Sequence, residues 1–210
     1  MEPIYKTVKQ QASAEIIIKK SRFIGHAKPV ETEEEAIQFI EAIKKEHWNA
    51  THNCSAYCVG PNNEFQKQSD DGEPSGTAGK PILEVIKQQD LRNTVVVVTR
   101  YFGGIKLGAG GLIRAYTDGA VAAIEAAEPV FRVLHQKVSI VIDYTWQGKV
   151  ENALRNEEVI IDQTEFTDKV TYHCLPPAHE VDKFKAWVVE LTQGKAELHA
   201  GETLYLEHDS

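Results

Sequence analysis

Glycines and basic residues are concentrated in one short segment near the middle of the 210-residue chain. Five glycines fall between Gly103 and Gly111, and no acidic residue occurs from Leu91 to Thr117. Glycine lets several backbone N–H groups turn toward one point, and a following helix N-terminus adds partial positive charge there. The segment therefore predicts an anion- or nucleic-acid-binding surface with exposed cations. Its candidate residues are Arg100, Gly103, Gly104, Lys106, Gly108, Gly110, Gly111 and Arg114.

Two plainer interpretations of this glycine-rich basic segment remain open. The glycines also suit close packing of a strand against a helix, and the cations also suit a solvated face. Neither the P-loop nor the dinucleotide-binding fingerprint fits this segment. No Gly-Lys-Ser/Thr triplet is present, and Ile113 stands where a dinucleotide fingerprint counted from Gly108 requires glycine.

A second candidate lies in the loop Ser69–Lys80, which carries three carboxylates. Asp70, Asp71 and Glu73 offer the oxygen ligands that Mg²⁺ prefers, although their spacing is not that of an EF-hand. Solvated carboxylates are common in turns, and long loops are often functional. The loop therefore predicts either a Mg²⁺ site or a contact with a partner molecule.

His52, Cys54 and Cys58 alternate onto one face of a predicted strand. By the rise of a strand, these side chains are about 7 and 14 Å apart, which is too far for one tetrahedral zinc ion. Buried core cysteines are the better interpretation, and no metal site is predicted here. The sequence also contains no recognisable Ser-His-Asp arrangement, so no catalytic residue is assigned.

The elements around these residues follow from periodicity and turn signals. The N-terminal part predicts a helix that starts after Thr32, whose side chain would cap it, and a helix from Pro81 to Gln89. Val95–Val98 predicts a strand buried on both faces. The other predicted elements are strands at 15–19, 22–27 and 52–59, a structureless loop at 60–80 and a helix at 112–127.

The C-terminal part predicts a second domain of ferredoxin-like βαββαβ order. Glu128–Pro129 ends the preceding helix, so the boundary is placed there, with domains at 1–130 and 131–210. The predicted strands are at about 133–144, 158–166, 168–175 and 195–206, and the helices at about 146–157 and 178–192.

Composition limits where the protein works and what it binds. No apolar run is long enough to span a membrane, and the N-terminus lacks a secretory h-region. Three cysteines do not form a disulfide framework, so a cytoplasmic location without membrane partners is expected. The net charge of −8 comprises −2 in residues 1–130 and −6 in 131–210, so nucleic-acid binding requires a local basic patch.

Two stretches of the chain closely resemble the IMPACT family, in its two-domain bacterial, YigZ-like branch. They are Ser69–Pro81, with the sequence SDDGEPSGTAGKP, and Thr99–Tyr116, with the sequence TRYFGGIKLGAGGLIRAY. The strand at His52–Tyr57 is also similar to that family. The resemblance covers nearly the whole chain.

This resemblance carries expectations about fold and function. It implies an α+β protein, with an N-terminal α/β domain like the second domain of ribosomal protein S-five. The ferredoxin-like C-terminal domain would resemble the last domain of elongation factor G. Eukaryotic members of the family restrain a starvation-responsive kinase of translation initiation by competing for its activator protein, a pathway that bacteria lack as such.

Two functions from different classes follow. The first is a translation-associated regulatory binding protein that contacts RNA, the ribosome or a translation-linked protein through the glycine-rich basic surface, with no cofactor. The alternative is an enzyme, Mg²⁺-dependent or not, that acts on a small phosphorylated or anionic substrate. The resemblance implies that the N-terminal fold is shared with galactokinase-type small-molecule kinases, which supports the alternative by analogy only.

Overall fold

The computed structural model describes residues 4–209, in two compact units at Tyr5–Phe131 and Arg132–Glu207. The strands up to residue 101 are β1 (Ile4–Val8), β2 (Ala12–Ile18), β3 (Ser21–Pro29), β4 (His52–Val59), β5 (Phe65–Ser69) and β6 (Thr94–Tyr101). The helices of this unit are α1 (Glu33–Glu46), α2 (Gly79–Gln88) and α3 (Gly108–Ala127). The remaining elements are β7 (Pro129–Ile142), α4 (Gln147–Asn156), β8 (Ile161–Phe166), β9 (Val170–Cys174), α5 (Val181–Leu191) and β10 (Glu197–Asp209).

The sheet of the N-terminal unit has the strand order β2-β3-β6-β4-β5. Its central strand, β6, contains Val95–Val98, all fully buried, which confirms the strand predicted to be covered on both faces. Side chains alternate along β6, so Val96 and Val98 pack in one core with α2 and α3. Val95 and Val97 pack in a second core with α1 on the opposite face.

A helix cap and a tight hairpin connection shape two parts of this unit. Thr32 caps α1 by accepting a hydrogen bond from the backbone N–H of Glu35 over 3.2 Å, as predicted. Lys19 and Lys20 both have positive φ angles, of 46° and 65°, between β2 and β3. Two such residues form the tight connection whose twist matches that of a hairpin.

The structure corrects the sequence-based prediction at three elements. The predicted loop at 60–80 contains β5, an exposed edge strand that pairs with β4. Its sequence, FQKQS, lacks an apolar alternation because neither face of this edge strand is buried. Helix α3 begins at Gly108, four residues before the predicted start, and β1 was absent from the prediction.

The C-terminal unit has the predicted β-α-β-β-α-β order, which confirms the fold class. Within this unit, β7 pairs with β9 and with β10, and β9 pairs with β8. Helices α4 and α5 contribute Val150, Leu154 and Val188 to a core with the buried residues of β7 and β9. Strand β7 begins at Pro129, so a single residue, Glu128, separates it from the end of α3.

Among residues 4–209, no helix is long and apolar enough to cross a membrane.

Candidate binding surface and the buried charge cluster

Arg100, the predicted exposed cation at the end of β6, is buried. The residue is 6% exposed, and its Nη1 donates a 2.6 Å hydrogen bond to Oε1 of Glu73, which is 7% exposed. The prediction of a free guanidinium at the surface is therefore wrong. The physical reason is the ion pair, because a charged group enters a protein interior when a partner of opposite charge is held beside it.

Glu73 is the centre of this buried cluster. Its Oε1 also accepts a hydrogen bond from the Tyr116 hydroxyl over 2.9 Å and lies 3.4 Å from Nε2 of His52. Burial, followed by the nearby Cys54 and Glu73, raises the pKa of Tyr116 well above its ordinary value, so the phenol stays a donor. The three stretches that resemble the IMPACT family thus meet at one carboxylate.

The orientation of His52 is set by the loop before α2. Its Nδ1 lies 2.8 Å from the carbonyl oxygen of Asp71. A carbonyl oxygen only accepts hydrogen bonds, so Nδ1 carries a proton and Nε2 is the atom that faces Glu73. The ring therefore links the acidic loop, Ser69–Lys80, to the first residue of β4.

Aromatic rings complete the surroundings of Arg100. Its Cζ lies 5.5 Å from the ring centre of Phe23 and 5.4 Å from that of Phe102, both within cation–π range. Ser21 Oγ accepts a long hydrogen bond of 3.5 Å from Nη2, while Nε has no hydrogen-bond partner. Phe102 therefore packs on a guanidinium that the ion pair with Glu73 fixes in place.

The carboxylate of Asp70 is occupied by backbone donors of its own loop. It accepts backbone hydrogen bonds from Gly76, Ala78 and Gly79, over 2.8 to 3.1 Å. Burial would raise the pKa of Asp70, but these three N–H groups outweigh it and lower the pKa. Asp70 thus caps the loop and the start of α2.

Asp71 is also held by protein donors. Its Oδ2 accepts from the backbone N–H of Asn53 over 2.7 Å, and its Oδ1 lies 3.7 Å from Nζ of Lys44. With Glu73 bound to Arg100, the carboxylates of the loop do not converge. Within residues 4–209, no group of three or more His, Cys, Asp or Glu side chains is arranged to hold a metal ion. The structure thus gives the Mg²⁺ interpretation no support.

Cys54 and Cys58 are fully buried in the core between the sheet and α2 and α3, as predicted. Burial raises the pKa of Cys58 to about 11 and that of Cys54 further. A thiol that stays protonated at neutral pH is a poor nucleophile and a poor metal ligand. These cysteines are therefore part of the packing.

The start of α3 is open, in contrast to the buried cluster. Leu107, at the N-cap, provides no side-chain hydrogen bond to the first turn. A Cβ atom built on Gly104, Gly108 or Gly110 would meet nothing within 4 Å. The first N–H groups of a helix have no partner within the helix, so the exposed start of α3 carries partial positive charge.

Lys106 and Arg114 are exposed on either side of this helix start. Lys106 lies two residues before α3, and Arg114 lies in its second turn. Neither forms an ion pair within 4 Å with any residue that the structure describes. Lys106 and Arg114 are therefore exposed, whereas Arg100 is not, and anion binding by these two cations stays a prediction.

Three large apolar side chains accompany the cations and were missed by the sequence analysis. Phe102 is 48% exposed, and Ile105 and Ile113 are exposed to a similar degree. Their signal was an aromatic residue and an isoleucine in the predicted glycine-rich loop, and a second isoleucine in the first turn of the predicted helix at 112–127. We define the α3 surface as these three residues with Lys106, Gly108, Gly110 and Arg114.

Not all the glycines of the segment belong to the α3 surface. A Cβ atom on Gly103 would overlap the backbone carbonyl of Lys20, and one on Gly111 would press on Leu107 at 3.1 Å. At these two positions the interpretation as packing glycines holds. Gly104 and Gly108 have no such neighbour, but their positive φ angles of 89° and 73° favour glycine, whereas Gly110 has neither constraint.

Comparison with known proteins identifies both halves of the chain. The model of the Impact N-terminal domain matches residues 19–124, and that of the Domain of unknown function (DUF1949) matches residues 140–195. The chain is similar to a crystal structure of a hypothetical protein, with a TM-score of 0.62 and 30% identity. The match covers 96% of this chain and 99% of that one.

Relatives are found in bacteria and in eukaryotes. IMPACT family member YvyE of Bacillus subtilis is 50% identical over 203 residues, covering 97% of this chain and 94% of the relative. IMPACT family member YigZ of Escherichia coli is 33% identical over 185 residues, covering 87% and 91%. Protein IMPACT of Danio rerio is 36% identical over 95 residues, covering 43% and 29%. The chain belongs to the IMPACT family, in the bacterial YigZ-like branch that carries both domains.

Proposed function

We propose that this protein is a regulatory binding protein linked to translation, and that the α3 surface is where its N-terminal unit contacts RNA, the ribosome or a translation-linked protein. One observation carries the proposal: the cations Lys106 and Arg114 and three exposed apolar side chains flank an uncapped helix start. Such a surface suits a partner with negative charge and flat apolar groups.

Family membership supports the link to translation. The resemblance to the IMPACT family implies that its eukaryotic members act on a regulatory step of translation initiation. The match to the Impact N-terminal domain spans residues 19–124, in the N-terminal unit that also carries the α3 surface. A translation-related partner of that unit is therefore the natural proposal.

The enzymatic alternative has less support. It relied on Arg100, Asp70, Asp71 and Glu73 as free groups around the glycine-rich segment. In the structure Arg100 and Glu73 neutralise each other, and Asp70 caps a backbone loop. A buried ion pair of this kind stabilises a local arrangement and leaves neither group free for a substrate.

Co-sedimentation with purified bacterial ribosomes across a salt series tests the proposal. The full chain should pellet with ribosomes at low salt and be released as salt rises, because phosphate contacts weaken through counterion release. The double variant Lys106→Gln with Arg114→Gln should pellet less. Lys45→Gln, an exposed cation on α1 across the sheet, is the matched control and should behave as the unmodified protein does.

Equal pelleting of the double variant and the unmodified protein at low salt would exclude the α3 surface as the ribosome-binding surface. If the unmodified protein does not pellet with ribosomes but retains a protein from a cleared lysate, and the double variant does not retain it, the surface would be assigned to a protein partner, whose identity by mass spectrometry decides whether it is linked to translation.

A further inference from the structure

We infer that the α3 surface binds single-stranded RNA, with one base stacked on the exposed ring of Phe102 and the adjoining phosphates on Lys106, Arg114 and the open helix start. The inference rests on the proposed function, because it names the chemical class of partner for the same surface. It goes further by assigning separate roles to an aromatic platform and to a charged rim.

Phe102 is held in place more firmly than an exposed loop residue usually is. Its ring lies against Arg100, which is fixed by Glu73, and its backbone N–H donates to Thr51 Oγ1 over 3.0 Å. The next residue, Gly103, donates its N–H to Ser21 Oγ over 3.1 Å. About half of Phe102 remains exposed although its surroundings are ordered. A pre-ordered ring loses little conformational entropy when a flat group stacks on it.

The charge around Phe102 favours a flat group that is attached to phosphates. The sequence from Leu91 to Thr117 has no acidic residue, while the chain as a whole carries −8. Lys106 and Arg114 lie within 12 positions of Phe102 along the chain, on both sides of the uncapped start of α3. Cations and free backbone N–H groups bind phosphate, and an aromatic ring binds a base, so the combination fits a nucleotide chain.

Single-stranded RNA fits better than a duplex. Bases in a duplex are stacked on one another, so only an unpaired base can present its face to Phe102. Ile105 and Ile113 are also exposed, 3 and 11 positions after Phe102 along the chain, and offer apolar surface suited to a base edge or a ribose. An acidic protein segment would use the cations equally well but would not require the flat ring.

The experiment measures binding of a fluorescein-labelled oligoadenylate of about 12 nucleotides, the length that single-strand sites commonly cover, by fluorescence anisotropy over a salt series. Phe102→Leu should weaken binding about tenfold, the usual effect of losing one stacked base, without changing the salt dependence. Phe102→Trp keeps a ring and should bind at least as well as the unmodified protein. The double variant Lys106→Gln with Arg114→Gln should make the negative slope of log K against log salt less steep by about 1.4, since each phosphate contact contributes about 0.7 for a single strand.

Phe65→Leu is the matched control for the aromatic substitution. Phe65 is 50% exposed, as Phe102 is, but it pairs with Val59 at the far end of β4 from His52 and Arg100. This variant should bind the oligoadenylate unchanged. Asp118→Asn, which removes an exposed acid from the next turn of α3, should leave binding unchanged or strengthen it slightly.

Unchanged binding by Phe102→Leu, or equal affinity for inorganic polyphosphate and oligoadenylate, would overturn the inference, because either result removes the base from the interaction. The ribosome experiment separates this failure from failure of the proposed function. If ribosome pelleting depends on Lys106 and Arg114 but not on Phe102, the surface works through charge alone and only the stacking assignment is wrong. Thermal unfolding of each variant confirms that the fold is retained.

Discussion

Arg100 and Glu73 are joined by a 2.6 Å hydrogen-bonded ion pair in the interior of the N-terminal unit. They are 27 positions apart in sequence, one at the end of the central strand and the other in the loop before α2. The pair therefore connects the two most characteristic stretches of the chain. It orders the acidic loop and also holds the guanidinium on which Phe102 packs.

Breaking this pair should strongly destabilise the N-terminal unit. Arg100→Gln leaves the Glu73 carboxylate buried without a cation, which typically costs about 3–5 kcal/mol. Urea unfolding followed by circular dichroism measures the change. Arg114→Gln, at an exposed position on α3, serves as the comparison and should change the free energy of unfolding by about 0.5 kcal/mol or less. If both variants unfold at the same urea concentration, the pair does not stabilise the fold.

The pair also shows why sequence analysis identified much of the fold but misplaced part of the site. The cap at Thr32 and the valine run in β6 are local signals, and each predicts its element directly. Burial of Arg100 depends on Glu73, and no local pattern reveals that these two side chains meet. Strand β5 was missed for a related reason, since its pairing with β4 is invisible in a polar five-residue segment.

His26 should make stability depend on pH on the acidic side of neutrality. Burial, and then the nearby His47, lower the pKa of His26 from 6.5 to about 4. Its ring is held by Ser13 Oγ at 2.8 Å and Thr99 Oγ1 at 3.2 Å. Between these two pKa values the unfolded chain binds the proton and the folded chain does not, so stability falls as pH falls from about 6.5 to about 4.

His26→Gln removes this titration. The unmodified protein should lose on the order of 2–3 kcal/mol more than the variant over that pH interval. Thermal unfolding midpoints of both proteins, measured at matched pH values across the interval, give the comparison. Parallel curves for the two proteins would show that His26 is not the residue responsible.

We also propose that the domains at 1–130 and 131–210 fold independently. The N-terminal unit has cores on both faces of its sheet, and the C-terminal unit has its own core around Val138, Ile140 and Leu154. Strand β7 starts at Pro129, so a cut between residues 130 and 131 removes only its first two residues from the C-terminal fragment. Each fragment, expressed alone, should give a cooperative thermal transition by circular dichroism. A fragment without one would show that the two halves depend on each other.

The most discriminating prediction concerns Gly110, in the first turn of α3. It is not among the residues with positive φ, and a Cβ atom there would meet nothing within 4 Å, so the fold does not require glycine at this position. Gly110→Ala should therefore raise stability by about 0.5–1 kcal/mol, because alanine loses less backbone entropy in a helix. Gly103→Ala is the contrasting variant. Its Cβ would overlap the backbone of Lys20, so it should lower stability by about 1–3 kcal/mol.

The Gly110→Ala variant also tests whether RNA phosphates approach the start of α3. If phosphates approach the open N–H groups at the start of α3, the added methyl group stands where they must pass. The variant should then be more stable and yet bind oligoadenylate more weakly, a combination that damage to the fold cannot produce. Thermal unfolding and fluorescence anisotropy on the same preparation provide both measurements. A variant that is stabilised and binds as well as the unmodified protein would show that the ligand does not approach the backbone at this position, leaving Lys106 and Arg114 as the only anion contacts that the α3 surface offers.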